Sequence, residues 1–252
     1  MSGPTIITPH IERQIRVLQI ERCVPRLFFN HTPKKNDNQP YKKKIKTIVR
    51  WFQIHIFVLE NALRVFAKMN YEKASQMEIA KACGLSKAGL IYYFPLKLDL
   101  FVAVVDKYVF NTQQLENKFK FTGGSFSEFI DQYVEGVENT MNRLVHMLND
   151  GNNPNGCCFN FYYYHLLMQV RLNYPNVEKK LANIFEQNLQ LWETAIQKAK
   201  ENGEMRQDLD VEETASMFWQ VFFGTSFEQS FFQGLNIKQL RKKLHFIYSL
   251  LK

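Results

Sequence analysis

Apolar residues recur three or four positions apart through most of this chain, the spacing of one buried face on an α-helix. Trp51, Ile54, Val58, Leu59, Ala62, Leu63, Phe66 and Met69 predict a long first helix with an extended N-terminal end beginning near Lys43. Two short helices follow, one through Ile79, Ala80 and Cys83, the next from Lys87 to Tyr93. Pro95 is expected to open a fourth, with Asp99 near its positive end and Leu100, Phe101, Val104, Val105 and Tyr108 along it. Gly123-Gly124 breaks the chain, and Ser125 or Ser127 with Glu128 starts a helix ending near Asn149. Asp150 to Gly156 is a loop by composition. An aromatic helix should run from Cys157 to about Leu172, and a long one from Pro175-Asn176 to Gly203. Val211–Phe232 carries Ala215, Phe218, Trp219, Phe222, Phe223 and Phe227, and Ile237, Leu240, Leu244, Ile247 and Leu251 mark the last helix. The pattern predicts nine helices, or ten if Ile11 to Leu18 forms one, and no strand: an all-α chain. Composition agrees. Only 11 Gly and 8 Pro leave little punctuation for many strands, and 46% hydrophobic residues exclude a disordered chain.

Ser75 to Phe94 is the most informative stretch. Ser75 and Glu78 form a capping box, in which each side chain satisfies a backbone N–H at a helix start. Ala80 is small enough to let a second helix cross closely. Gly84 suits the left-handed position that ends a helix, Leu85 plugs the corner, and Ser86 restarts a helix as its N-cap. Two short helices joined in this way make a helix-turn-helix, whose second helix offers its first residues to the major groove.

The stretch resembles the TetR family of bacterial repressors. The resemblance rests on Leu59, Ala62, Leu63 and Phe66, then Ile79-Ala80, Gly84-Leu85-Ser86-Lys87, Tyr92-Tyr93-Phe94, and Pro95 with Lys97, and it covers roughly Ile54 to Phe101. Ile91 departs from it, standing where the family usually has a phosphate-contacting Tyr, and so does the apolar flank Leu96-Lys97-Leu98. The resemblance implies DNA contacts from Ser75, Gln76, Ser86, Lys87, Ala88, Gly89, Tyr92, Tyr93 and Lys97. One of the two tyrosines is expected in the core and the other on a phosphate. It also implies a fourth helix that connects the DNA-binding head to a ligand-binding body, and a homodimer on a double-stranded operator.

Charge supports a nucleic-acid partner. Residues 1–110 hold 18 Lys/Arg against 8 Asp/Glu, while 111–252 hold 14 against 16, so the positive field lies on the half with the helix-turn-helix. The run Lys42-Lys43-Lys44, with Lys46 and Arg50, reads equally as a DNA-tracking arm or a solvated linker. The expected division is an N-terminal extension at 1–44, a DNA-binding domain at 45–96 and an effector-binding, dimerising domain at 97–252.

In the second half, Phe161, Tyr162, Tyr164, His165 and Met168, with Trp192 and Trp219 opposite, are the candidate effector contacts. Five aromatics in six positions surround a helix and cannot all face one core. They suggest a small apolar or aromatic effector, uncharged or weakly charged. Core packing is the competing reading for each residue. Phe222, Phe223, Phe227, Leu240, Leu244 and Ile247 are the candidate dimer interface, because the helix from Asn176 to Asn202 is expected to cover only one of the two apolar stripes they lie on.

Other chemistry finds little support. Four cysteines show no disulfide-framework spacing, and Cys157-Cys158 reads as packing or, less simply, as a redox sensor. The histidines lack metal-ligand spacing, and no CxxC, Gly-rich phosphate loop or nucleophile elbow is present, so no cofactor, metal or catalysis is expected. No apolar run of about 18 residues or leader-like h-region exists, and a cytoplasmic, nucleoid-associated protein with no membrane partner is expected. The functional expectation is a DNA-binding repressor released by its effector. The alternative is a DNA-bound structural or adaptor protein of the same fold without an effector; a rigid, filled body favours it, and a pocket of several hundred Å3 (roughly the ordinary ligand-site range) favours the regulator.

Overall fold

The computed structural model describes residues 38–148 and 159–252, and all regular structure among them is helical. The chain divides into two compact units, Met1–Ile56 and Phe57–Lys252. In the first, the Trp51 ring stacks on His55 at 4.7 Å and meets Phe52 edge-on at 5.5 Å. These residues belong to α1 (Asn38–Lys68), which begins earlier than expected and runs through Pro40. Pro40 falls in the first turn, where a missing N–H costs no hydrogen bond. The expected short helix at Ile11–Leu18, Cys23, Cys157 and Cys158 lie outside the described residues.

The second unit contains everything that follows. α2 (Gln76–Ala82) and α3 (Lys87–Tyr93) are the two short helices. α4 (Lys97–Val105) starts two residues after Pro95 and passes into a π-helical turn, Asp106–Phe110, then α5 (Asn111–Gln113) and α6 (Leu115–Lys118). α7 (Phe126–Leu148) opens on Ser125, whose hydroxyl accepts from the Glu128 N–H while its own N–H donates to the Glu128 carboxylate at 2.8 Å. α8 (Phe159–Asn173) is the aromatic helix, followed by α9 (Val177–Glu201), α10 (Val211–Ser230) and α11 (Ile237–Leu250). The interrupted run Asp106–Lys118 carries no clean helical period, which is why sequence periodicity missed its two short helices.

The main core lies between α7, α9, α10 and α11. Trp192 is fully buried, its ring stacked on Phe218 at 4.9 Å and packed against Tyr133 at 4.6 Å. Phe126, Ile130, Val134, Ile196 and Ala215 complete it. Burying each large apolar side chain contributes about 1.5–3 kcal/mol against conformational entropy.

This core corrects the expected interface. Leu240 and Leu244 are completely buried and Phe222 nearly so, inside the subunit's own core, with Ile247 packed against it. Phe223 is half-buried against Tyr164, Phe185 and Trp219. The reason is topological: α10 packs on α9, but α11 packs on α7, so each apolar stripe has its own partner. The large apolar residues left exposed are Met217, Phe227, Phe231 and Phe232 on or beside α10, and Phe246 and Leu250 on α11.

Candidate functional site

The helix-turn-helix forms as the local residues dictate. The Ser75 hydroxyl accepts from the Glu78 N–H at 3.2 Å, and the Glu78 carboxylate accepts from the Ser75 N–H at 2.8 Å, which holds that carboxyl below its ordinary range. At the other end of α2, Gly84 sits at φ +62°, where a side chain would strain the backbone. Its N–H donates to the Lys81 carbonyl, and the Leu85 N–H donates to the Ala80 carbonyl at 2.9 Å, the paired bonds of a Schellman stop. The Ser86 hydroxyl then caps α3 by accepting from the Gly89 N–H at 3.0 Å. Gln76 donates to the Pro95 carbonyl at 3.1 Å and ties the start of α2 to the end of α3. Leu63, Phe66, Ile79, Ala80, Leu90 and Phe94 are buried behind.

What remains outside is the first turn of α3 and its outer face: Lys87, Ala88, Ile91 and Tyr92, the last 75% exposed. Tyr93 is half-buried and meets Tyr92 edge-on at 5.1 Å. Lys97, the other residue expected on a phosphate, contacts Tyr71. Its ammonium donates to the Tyr71 carbonyl at 2.8 Å and lies 4.2 Å from the Tyr71 ring centre, so it is engaged inside the head. Cys83 is buried beneath α2, and burial pushes its thiol up to about 11, which leaves it inert.

From Lys97 the helical run extends through the π turn to Gln113, and its far end lines a cavity of about 90 Å3 in the body. Val109, Phe110 and Gln113 come from this run, Lys118 from α6, Thr140 and Leu144 from α7, Asn160, Tyr163 and Tyr164 from α8, Phe185 from α9, and Trp219, Phe222 and Phe223 from α10. The run is also tied to α9 outside the cavity, where Lys180 and Tyr174 both donate to Asp106 at 2.7 Å.

Three of the cavity's polar residues, Lys118, Gln113 and Tyr163, form a connected line. Lys118 is only 7% exposed, and its ammonium donates to Gln113 Oε1 at 3.2 Å. Gln113 Nε2 in turn donates to the Tyr163 hydroxyl at 2.5 Å. Phe119 and Phe222 place their rings 5.1 Å from the same ammonium. Gly136 makes room for this arrangement: a Cβ there would stand 2.4 Å from the Phe119 ring and 2.6 Å from the Lys118 carbonyl.

Of the expected effector contacts, Tyr164 and Trp219 line the cavity. Trp192 does not, because it is consumed by the core stack. Phe161 and Met168 face outward on α8, and Tyr162 is half-buried away from the cavity. His165 Nδ1 lies 2.9 Å from the Ala67 carbonyl and joins α8 to α1. Sequence reasoning missed Gln113, Lys118 and Asn160. Lys118 follows Glu116-Asn117 and stands two residues from Lys120, and nothing in that polar run showed that it would be buried. Among the described residues no His, Cys, Asp or Glu cluster suits a metal ion, and no single helix is long and apolar enough to cross a membrane.

Two family models match. "Bacterial regulatory proteins, tetR family" covers residues 58–104, and "Tetracyclin repressor-like, C-terminal domain" covers 134–233, together more than half of the chain. The chain is 39% identical over 51 residues to the uncharacterised HTH-type transcriptional regulator YuxN of Bacillus subtilis, covering 20% of this chain and 18% of YuxN. It is 30% identical over 86 residues to the HTH-type transcriptional regulator AcrR of Shigella flexneri, covering 33% and 40%, so the chain spans less than half the length of either relative. Solved structures share the fold. A TetR-family regulator from Cytophaga hutchinsonii superposes with a TM-score of 0.52 at 17% identity, covering 81% of this chain and 96% of that one. AibR, solved with isovaleryl coenzyme A and operator DNA, gives 0.51 at 18% identity over 79% and 97%. With an exposed recognition helix on a capped helix-turn-helix, a helical body behind it, and family models matching both parts, this chain belongs to the TetR family of bacterial transcriptional regulators.

Proposed function

We propose that this regulator is a homodimeric, cytoplasmic repressor that holds a double-stranded operator until a small molecule enters the body cavity. The observation that carries the reading is the α3 face: Lys87, Ala88 and Tyr92 stand exposed while Leu63, Phe66, Ile79, Leu90 and Phe94 are buried behind them. Lys87 and Ala88 are the base-facing positions, and the Tyr92 hydroxyl is a phosphate donor. Lys97 positions α4 against Tyr71.

Release works through the unbroken helical run from Lys97 to Gln113. An occupant that displaces Val109, Phe110 or Gln113 moves the helix that begins beneath the recognition helix. Occupancy then favours a body conformation with the two recognition helices wrongly spaced for successive major grooves. The dimer face that fits the exposed residues is Met217, Gly224, Phe227 and Phe231 together with Phe246 and Leu250. Gly224 is exposed with nothing within 4 Å of an added Cβ, which leaves room for a partner helix to approach.

Capture of genomic fragments on the purified full chain tests the reading. A roughly palindromic duplex should be enriched, with affinity falling steeply as salt rises. Equal affinity for the captured and a random duplex at every salt concentration refutes sequence-specific regulation. The small cavity, about 90 Å3, favours a second reading, a DNA-bound adaptor without effector. A captured operator whose binding responds to no ligand of the cavity would establish that reading instead.

A further inference from the structure

We propose that the body cavity is a site for a small organic acid, a compact apolar monocarboxylate whose carboxylate pairs with the Lys118 ammonium. The proposal rests on the reading of this cavity as the effector site and specifies what enters it.

Lys118 is nearly fully buried in the wall of the cavity. Among the described residues its ammonium has one polar partner, the neutral side-chain carbonyl of Gln113 at 3.2 Å, and no carboxylate forms an ion pair with it. Gln113 cannot turn its oxygen elsewhere without breaking the bond to Tyr163. The rings of Phe119 and Phe222 soften the charge but do not neutralise it. Burial alone pushes the group down to about 8, so it still carries a proton at neutral pH. A buried cation in this position is an unfilled half of an ion pair.

A second polar group points to the same end of the chemistry. Asn160 also lines the cavity, is 8% exposed, and among the described residues its Nδ2 has no hydrogen-bond partner. An amide N–H donor and an ammonium together suit a carboxylate, which accepts at both oxygens. The remaining lining is aliphatic and aromatic, including Leu144, Phe185 and Trp219.

The same residues argue against other ligand classes. A cation would meet Lys118 head-on. A neutral apolar molecule would exclude water and leave the ammonium with Gln113 alone and without a counter-charge. A phosphate-like dianion calls for more than one cation, and among the described residues Lys118 is the only Lys or Arg in the lining. The free volume of about 90 Å3 is small, which suits a compact acid. Longer acids require the cavity to open.

The test is calorimetric titration of the full chain at pH 7 with sodium butanoate, sodium hexanoate and sodium phenylacetate, each beside its amide and its amine isostere. At least one acid should bind about tenfold or more tighter than its amide, with no binding of the amine. Lys118→Met should abolish the acid's advantage while leaving the amide's affinity within about twofold, and Lys118→Gln serves if the methionine variant fails to fold. Equal binding of acid and amide, an acid preference that survives loss of the ammonium, or no binding of any acid overturns the proposal. Operator affinity measured on the same preparation separates the two levels: a chain that holds its operator but ignores acids refutes the acid ligand alone, whereas one with no operator refutes the regulator reading as well.

Discussion

Replacing Lys118 by methionine should make the protein more stable at neutral pH. The substitution keeps an unbranched side chain of similar length and removes the buried charge. The ordinary lysine value of 10.5 falls to about 8 in the folded chain, and that interval corresponds to about 3 kcal/mol of folded-state penalty on the charged form. Against this relief stand the hydrogen bond to Gln113, about 1 kcal/mol, and the attraction of the Phe119 and Phe222 rings, about 1 kcal/mol together. The net expectation is a gain of about 1 kcal/mol, or about 2–4 °C in Tm for a chain of this size.

The gain should depend on pH in a defined direction. Below about 8 the lysine is protonated in both folded and unfolded chains, so the penalty is fully present. Between about 8 and 10.5 the unfolded chain binds more protons than the folded one, and wild-type stability from this group rises with pH. The methionine variant lacks this term, so its advantage of about 1 kcal/mol should be lost within about one pH unit above 8 and reverse by about pH 9.5. The groups facing Lys118 do not reverse the sign. Gln113 is neutral, Arg143 on α7 donates to the Asn117 carbonyl and Thr140, and burial pushes the Tyr163 and Tyr164 hydroxyls up. Thermal melts of both proteins at pH 7 and pH 9.5 check the argument. A methionine variant that melts below wild type at pH 7, or a difference that does not move with pH, would refute it.

Three further outcomes follow from the geometry. Lys87→Ala should weaken operator binding by about 1–3 kcal/mol if the side chain reads a base, and should shallow the salt slope only slightly; Lys97→Ala should lower Tm, because it releases Tyr71, with a smaller direct effect on the salt slope. Gly136→Ala should cost about 1–3 kcal/mol in chemical denaturation and disturb acid binding, since its methyl displaces Phe119 and the Lys118 backbone; an unchanged midpoint contradicts the close approach. Phe246→Asp, at a position 63% exposed, should leave the fold intact while shifting sedimentation from dimer toward monomer, and wild type sedimenting as a monomer at micromolar concentration removes the dimer face altogether.

The head was legible in the sequence because its elements are fixed locally. Ser75, Glu78, Gly84 and Ser86 act within four or five residues of themselves, so their spacing alone specifies two helices and the turn between them. The body was legible only as helices. Apolar stripes at Leu240 and Leu244 or at Phe222 show that a face must be buried and not which helix buries it; the choice of α7 as a second partner is a property of topology. Trp192 and Tyr164 look alike as aromatic residues on apolar helices, yet one closes the core and the other opens on the cavity. Lys118 was unreadable for a related reason. Its burial depends on a π turn that interrupts the helical period upstream and on a glycine 18 positions away that lets its backbone lie close to α7.

A cation buried without a counter-charge lowers the stability of the empty body, and this is what makes it useful to a switch. An occupant can shift a conformational equilibrium only by its difference in affinity for the two states. Moving a population from about 1:99 to 99:1 requires about 5.5 kcal/mol of such difference. The desolvation of Lys118, about 3 kcal/mol, is present when the cavity is empty and is offset when a carboxylate arrives. A neutral lining would supply only contact area, which a loosely fitting molecule gains almost equally in either state. The cation converts ligand charge into a state-dependent term, and the Gln113 side chain that holds it sits on the same helical run as Lys97 at the head. Pairing and head movement therefore share one mechanical element. A Gln113→Leu variant isolates that link: it should keep acid binding within about tenfold, since Lys118 remains, while weakening the acid's effect on operator affinity. Undiminished coupling in that variant would assign the transmission to another route.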